Sequence, residues 1–90
     1  MDYKILYTKS AASDINKLEE LTAKRIVGKL DFFIKSGDPL SYAKKLKSLK
    51  KETYRFRVGD YRILFRLDKE QRKIVILVVL RIVHRKSVYS

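Results

Sequence analysis

The sequence predicts an α+β domain in which two antiparallel N-terminal helices cover one face of a mainly antiparallel, twisted sheet. Apolar residues recur with helical spacing between residues 11 and 34, and alternate with a period of two after residue 53. A Gly-Asp pair between two alternating runs adds a hairpin signal. The predicted order is β-α-α-β-β-β, and a length of 90 residues indicates a single domain, 1–90.

One strand and two helices account for the first half of the chain. Residues 3–7 have the aromatic and aliphatic composition of a strand. Ser10 is expected to cap the first helix and Thr22 the second, because a side-chain hydroxyl can accept a free backbone N–H at a helix start. Apolar residues at i, i+3, i+4 and i+7 continue to Ile34, and Gly37 follows at a position where helices commonly end.

The second half is predicted to be a basic connector followed by three strands. Residues 41–52 form the connector. Strands flank the Gly59-Asp60 pair, and the segment 68–72 turns into the last strand. Residues 73–83 are apolar on both faces, which is typical of a central strand that is covered on each side.

The predicted hairpin has two faces of opposite character. A two-residue turn sets Arg57 opposite Arg62, and alternation then gives one face four arginines: Arg55, Arg57, Arg62 and Arg66. The face toward the helices carries Tyr54, Phe56, Val58, Tyr61, Ile63 and Phe65. Like charges directly opposite each other destabilise a sheet. The cluster therefore indicates a bound polyanion, with a merely solvated basic face as the alternative.

The charge balance supports the same interpretation. The chain carries 22 basic and 10 acidic residues, a formal net charge of +12. Residues 1–41 hold 7 basic and 6 acidic side chains, whereas residues 42–90 hold 15 and 4. So uneven a distribution predicts a surface that faces a polyanion. Nucleic acid is the first candidate, and an anionic membrane and an acidic protein are the alternatives.

Composition excludes several classes of site. The absence of cysteine excludes disulfides, thiol catalysis and cysteine zinc sites. A single histidine excludes a histidine-rich metal site and a ribonuclease mechanism with two histidines. We expect no metal and no cofactor. No apolar run reaches the roughly 18 residues of a membrane helix, and no signal peptide is evident, so we expect a cytoplasmic protein that uses no membrane.

The C-terminus and the connector add further candidate residues. His84 belongs to the residue type best suited to proton transfer at neutral pH, and we expect it and Arg85 near the arginine cluster. Tyr89 could stack on a base, hold a hydroxyl, or pack into the core. Other basic residues are candidates for phosphate contacts, or alternatively for a solvated surface: Lys44, Lys45, Lys47, Lys50, Lys51 and Arg81.

Two stretches are specific enough to resemble a known family. They are residues 54–66, Tyr-Arg-Phe-Arg-Val-Gly-Asp-Tyr-Arg-Ile-Leu-Phe-Arg, and residues 79–89, Val-Leu-Arg-Ile-Val-His-Arg-Lys-Ser-Val-Tyr. Both are similar to the core of the RelE/ParE toxin superfamily, and the length and order of elements agree across nearly the whole chain. The resemblance implies the RelE-like microbial RNase fold and the toxin of a type II toxin–antitoxin pair.

The resemblance to the RelE branch implies an mRNA interferase, an endoribonuclease that inhibits translation by cutting the codon in the A site of the ribosomal 30S subunit. In that chemistry the ribose 2′-hydroxyl attacks the adjacent phosphorus and a 2′,3′-cyclic phosphate forms. The positions that carry it in the family match Arg55, Arg57, Arg62, Arg85 and Tyr89. The resemblance implies Arg57 and Arg62 at the scissile phosphate, Arg85 at the leaving oxygen, Arg55 at a neighbouring phosphate and Tyr89 at the 2′-hydroxyl or base.

One departure from the RelE branch concerns the general base. RelE-like enzymes often carry lysine where this chain has Arg55 and Arg57, and an arginine in a protein does not give up its proton. His84 is therefore the first candidate base and Glu52 the second, unless the reaction proceeds without a strong base.

The resemblance also implies a partner and leaves other functions open. A cognate RelB-like antitoxin with an acidic, partly disordered segment is expected to wrap the basic surface, in a heterotetramer. The ParE branch shares the fold but poisons DNA gyrase, so a gyrase poison without nuclease activity is the first alternative. A nucleic-acid-binding module with weak catalysis or none is the second.

Overall fold

The fold is a five-stranded sheet with two main helices, and a computed structural model describes it for residues 2–47, 52–71 and 74–88. The strands are β1 Asp2–Tyr7, β2 Ala43–Leu46, β3 Thr53–Val58, β4 Tyr61–Gln71 and β5 Ile74–His84. The helices are α1 Lys9–Asn16, α2 Glu20–Lys35 and the short α3 Arg85–Val88, and a 3₁₀ turn, Pro39–Tyr42, precedes β2. The α+β class is confirmed.

The sheet is mixed, with strand order β1-β5-β4-β3-β2. β1 runs parallel to β5, and the other neighbours are antiparallel. The predicted hairpin register is confirmed, because Val58 pairs with Tyr61 and Arg57 with Arg62. Gly59 has φ of +58° while Asp60 does not have a positive φ, as in the type II′ turns that match the twist of a hairpin.

The core lies between α2 and the face of the sheet that the sequence predicted. Ile26, Leu30 and Phe33 of α2 are buried against Phe56 and Phe65. The ring centroids of Phe33 and Phe56 are 4.5 Å apart, and those of Phe56 and Phe65 are 4.2 Å apart. Aromatic side chains at alternate positions of β3 and β4 thus form one stacked row beneath the helix.

Both predicted helix caps are wrong. Thr8 caps α1, since its hydroxyl accepts a hydrogen bond from the Ala11 N–H at 3.1 Å while its backbone is extended. Ser10 lies within α1. α2 begins at Glu20 after Glu19, which makes no side-chain capping bond, so Thr22 lies inside the helix. Thr8 is favoured because it directly continues β1 and its hydroxyl also donates to the Leu80 carbonyl at 2.9 Å.

The basic connector contains a strand that the sequence did not reveal. Ala43–Leu46 forms β2 at the edge of the sheet and pairs with β3, so the prediction of a connector over 41–52 is wrong for these residues. Two adjacent lysines, Lys44 and Lys45, conceal the strand because they interrupt an apolar alternation. Charged lysines are common on edge strands, where they discourage pairing with other chains.

The C-terminal strands differ from the prediction in length and in register. β4 extends to Gln71, so a turn over 68–72 is wrong for most of that segment, and α3 follows β5 directly. In the β4–β5 pairing Leu64 lies opposite Arg81 but Phe65 lies opposite Val79, so Leu80 is the extra residue of a β-bulge. A bulge of one residue reverses which face the following side chains occupy.

The described part of the chain contains no helix that is long and apolar enough to span a membrane.

Candidate nucleic-acid interface

The face of the sheet opposite the helices carries a cluster of basic side chains on three adjacent strands. Arg57 and Arg62 are register partners, and Arg55 lies two positions from Arg57 on the same face. Lys44 of β2 pairs with Arg55, which places it on this face also. We call this set, with Arg66 of β4, the basic face: Lys44, Arg55, Arg57, Arg62 and Arg66.

Arg62 is the buried member of the basic face. Only 9% of its surface is exposed, because β4 is the central strand, with β3 on one side and β5 on the other. Its Nη1 atom is buried without a hydrogen-bond partner among the described residues. A buried donor without a partner costs roughly 1–3 kcal/mol, and more when it is charged. An anion would supply the missing acceptor only after the Arg62 side chain turned outward from this buried position.

Most of the charge on the basic face is not neutralised within the described part of the chain. No carboxylate there forms an ion pair with Lys44, Arg55, Arg57 or Arg62. Arg66 is the exception, since its Nε donates to Asp68 at 3.2 Å. The face therefore carries several cations without an ion-pair partner among the described residues, and the planar guanidinium of arginine suits bidentate binding of phosphate.

Arg85 lies at the end of the sheet where Arg57 and Arg62 lie. Its backbone N–H donates to the Asp60 carbonyl at 2.7 Å, and its Nε lies 3.6 Å from the Asp60 carboxylate. Asp60 belongs to the turn that joins β3 to β4, so the C-terminal arginine is tied to the hairpin. The sequence predicted that Arg85 would approach the cluster but gave no sign that a turn aspartate would hold it.

His84 lies on the side of the sheet that faces the helices, so the expectation that it joins the arginine cluster is wrong. It pairs with Tyr61, and the two rings meet edge to face with centroids 5.2 Å apart. Its Nδ1 accepts a hydrogen bond from the Lys86 N–H at 3.2 Å. The reason is the bulge at Leu80, because without it the alternation of β5 would put His84 on the basic face.

Glu52, the second candidate base, also lies away from the basic face. Its carboxylate contacts the Lys45 ammonium at 3.2 Å and the Tyr54 hydroxyl at 3.4 Å. Lys45 is the register partner of Tyr54, so this group lies on the side of the helices, and Lys47 is an exposed turn residue beyond β2. Neither candidate base therefore reaches the arginines in this conformation.

By register Arg81 lies on the same side of the sheet as Arg55, since both pair with Leu64, but its side chain is held at the outer edge of β5. Its Nε and Nη2 donate to the Asp14 carboxylate at 2.8 and 3.2 Å. The Arg81 hydrogen bond, with that from the Ile82 N–H, holds the pKa of the Asp14 carboxyl below its usual value despite partial burial. Because its charge is paired, Arg81 offers less to a polyanion than the arginines of β3 do.

Three of the candidate residues lie outside the described residues: Lys50, Lys51 and Tyr89. Their part in any site stays a prediction from the sequence.

A cavity of about 560 Å³ between α2 and β1 lies apart from the basic face. Its lining is mainly apolar and includes Ile5, Tyr7, Ala23 and Val27. Burial and the neighbouring Asp31 raise the pKa of Tyr7, so its phenol stays neutral at physiological pH. Such a lining offers no concentration of cations for a phosphate. No group of metal-ligating side chains occurs in the part of the chain that the structure describes.

Comparison with known proteins assigns the chain to a family. The family model of the ParE toxin of type II toxin–antitoxin systems matches residues 5–89. The chain belongs to this toxin family. A curated relative, Toxin RelG of Mycobacterium tuberculosis, is 34% identical over 89 residues, which cover 99% of this chain and 98% of the relative. The predicted membership of the RelE/ParE toxin superfamily is confirmed.

Solved structures of toxin–antitoxin complexes share the fold of this toxin. A chain of the RelBE2 complex from Mycobacterium tuberculosis is 32% identical, with a TM-score of 0.68, and the match covers 94% of this chain and 100% of that one. The RelB–RelE complex from Methanococcus jannaschii gives 25% identity, a TM-score of 0.65 and coverage of 93% and 94%. The archaeal RelE–RelB complex from Pyrococcus horikoshii gives a TM-score of 0.70 at 20% identity, with coverage of 94% and 97%, and supports the fold alone.

Proposed function

We propose that this type II toxin is an endoribonuclease that cleaves mRNA in the ribosomal A site and so inhibits translation in the cytoplasm. The observation that carries the proposal is the basic face, with the guanidinium of Arg62 at its centre and, among the described residues, no carboxylate paired to Arg57. A sheet that exposes like charges in register gains stability when a phosphodiester binds across them. The kinship with Toxin RelG supports the toxin role from which the proposal starts.

The proposed reaction is an internal transfer of the phosphodiester. The ribose 2′-oxygen bonds to the adjacent phosphorus, the bond from phosphorus to the 5′-oxygen breaks, and the products are a 2′,3′-cyclic phosphate and a 5′-hydroxyl. Arg57 and Arg62 would stabilise the extra negative charge on the phosphoryl oxygens, and Arg85 the leaving 5′-oxygen. Removal of one such preorganised donor typically slows an enzyme by about 10²–10³-fold.

The positions of the candidate bases favour a mechanism without a strong protein base. His84 contacts Tyr61, and Glu52 contacts Lys45, on the side of the helices. We therefore propose that the 2′-hydroxyl proton passes to solvent and that the leaving 5′-oxygen takes a proton from solvent. Most of the acceleration of cleavage would then come from two sources: alignment of the mRNA by the ribosome and stabilisation of negative charge by the arginines.

We also propose that a RelB-like antitoxin holds this toxin in a heterotetramer and covers the basic face. The structural relatives are toxin–antitoxin complexes. The net charge of +12 favours an acidic partner segment, and so do the arginines that form no ion pair within the described part of the chain. Such a segment would exclude RNA while bound.

Primer extension on a reporter mRNA in a translating extract tests the nuclease proposal. The protein is added with and without ribosomes, beside the variants Arg62→Met and Arg57→Gln. Lys24→Gln is the matched control, since Lys24 is an exposed cation of α2 that pairs with Glu20 at 3.1 Å. We expect cuts within A-site codons only with ribosomes, retained by the control and lost in the arginine variants. Intact mRNA with folded protein would overturn the proposal.

A gyrase poison is the second candidate, because the matching family model is that of the ParE toxin and neither His84 nor Glu52 lies on the basic face. In that case the arginines would contact gyrase or its DNA. Stabilised gyrase–DNA cleavage complexes, in reactions where mRNA stays intact, would support it.

A further inference from the structure

The last five residues of β5 lack a neighbouring strand on their outer side. β1 pairs with β5 only as far as Tyr7 and Val79. The next residue of β5, Leu80, is the extra residue of the bulge. From Leu80 to His84 the strand has β4 on one side only, so its outer backbone groups need partners from elsewhere.

Two side chains of the α1 region supply partners for two of these backbone groups. The Thr8 hydroxyl donates to the Leu80 carbonyl at 2.9 Å, and the Asp14 carboxylate accepts from the Ile82 N–H at 2.9 Å. Asp14 also binds the guanidinium of Arg81 at 2.8 Å. The Asp14 side chain is only 13% exposed, whereas the Arg81 side chain that it binds is 52% exposed. Together the two side chains bind the outer side of β5 at Leu80 and Ile82, on and beside the bulge.

The bulge determines which face the end of β5 presents to the arginines. Before the bulge, the core residues of β5 are the odd-numbered Leu77 and Val79; after it, the core residue is the even-numbered Ile82. Val83 then pairs with Arg62 on the opposite face. Without the extra residue, the alternation would turn His84 toward the basic face and Arg85 away from it.

We propose that Asp14 is a positioning residue for Arg85. Asp14 accepts hydrogen bonds from the Ile82 N–H and from Arg81, and these bonds hold the bulge at Leu80 in place. The bulge in turn sets the face of the sheet on which Arg85 lies and its position against the hairpin turn. Asp14 itself lies at the outer edge of β5 and contacts none of the arginines of the basic face. The consequence for catalysis rests on the proposed nuclease function, whereas the consequence for the end of β5 does not.

The structural part of this inference is tested by NMR on the free protein. In Asp14→Ala we expect loss of the contact between the Tyr61 and His84 rings and faster hydrogen exchange of the Arg85 N–H, which donates to Asp60. The matched control is Asp31→Asn, an exposed carboxylate of α2 that pairs with Lys35 at 2.8 Å. An unchanged ring contact and unchanged Arg85 exchange in a folded Asp14→Ala protein would overturn the proposal.

Arg81→Gln provides a milder variant if Asp14→Ala fails to fold. It removes the guanidinium bonds to Asp14 but leaves the bond from the Ile82 N–H in place. We expect a smaller change in the same two NMR observables, and no change in either would again overturn the proposal.

The catalytic part is tested by a double-mutant cycle on mRNA cleavage with Asp14→Ala and Arg85→Gln. A misplaced catalytic group typically lowers the rate by about 10- to 100-fold. If Asp14 acts through Arg85, its loss lowers kcat in the wild-type background but has little further effect once Arg85 is replaced. Equal effects in both backgrounds would overturn the positioning role. Absence of cleavage by the wild type would instead refute the proposed nuclease, while the NMR result would still decide the role of Asp14 at the end of β5.

Discussion

The two faces of the β3–β4 hairpin are built from alternate residues of the same strands yet have opposite physical roles. On the helix side Phe56, Ile63 and Phe65 are fully buried and form the centre of the core. On the other side Arg55 and Arg57 have no carboxylate partner among the described residues, and Arg62 is buried with an unsatisfied nitrogen. One face therefore stabilises the fold, and the other loses stability through unpaired like charges, which agrees with the polyanion partner that we propose for it.

The largest expected effect comes from removing a ring from the helix-covered face. Phe65 is fully buried and stacks on Phe56, so Phe65→Ala leaves a cavity and should cost about 3–5 kcal/mol of unfolding free energy. Urea unfolding followed by circular dichroism measures this loss. A loss below 1 kcal/mol would mean that the core tolerates the change. The two faces would then differ less in their contribution to stability than their burial suggests.

A residue of the basic face is expected to separate activity from stability. Arg62→Met replaces a buried, unsatisfied guanidinium by an apolar side chain of similar length, so the free protein should be as stable as the wild type or more so. Cleavage of mRNA should nevertheless fall by about 10²–10³-fold. Thermal unfolding and primer extension on the same preparation check both effects, and a destabilised Arg62→Met protein would show that Arg62 is structural.

Replacing one arginine of the Arg57–Arg62 pair is expected to raise stability, by less than the Phe65→Ala substitution lowers it. Arg57→Glu would put a carboxylate opposite Arg62, and we expect about 0.2–1 kcal/mol of added stability with loss of RNA binding. Arg57→Gln serves as the control, since it removes the repulsion without adding an attraction. Urea unfolding at low and high salt measures the effect, which salt should weaken. Equal stability of the Glu and Gln variants would contradict the electrostatic account of this pair.

The smallest expected effect is a loss of stability in acid where α1 packs on β5. This contact lies beside the bulge at Leu80, after which the side chains of β5 lie on opposite faces from those that simple alternation would give. The Arg81 hydrogen bond lowers the pKa of Asp14 in the folded protein, so Asp14 stabilises the fold fully above its ordinary value of about 3.9. That contribution is lost as the pH falls through the lowered value. The stability difference between wild type and Asp14→Asn should therefore be constant from about pH 7 to 5 and shrink below about pH 4. An unchanged difference in strong acid would show that the Asp14 charge does not matter.

The amino-acid sequence by itself determined the hairpin, its register and the separation of its faces. Apolar residues alternate with a period of two on both sides of the Gly59-Asp60 turn. Only one register of the two strands then buries the aromatic side chains together, and that register puts Arg57 opposite Arg62. The apolar spacing that continues to Ile34 likewise predicted a helix, and Ile26, Leu30 and Phe33 are its buried residues in the structure. These features depend on neighbours along the chain or across one short turn.

Tertiary structure alone decided the features that depend on contacts between distant segments. Thr8 caps α1 in preference to Ser10 because it also reaches Leu80, and β2 forms because β3 offers an unpaired edge. The bulge at Leu80 decided the face of His84. The segment around it is apolar at successive positions, so no alternation in the sequence marks an extra residue. The bond from the Thr8 hydroxyl to Leu80 and the bond from the Ile82 N–H to Asp14 both depend on the packing of the α1 region against β5.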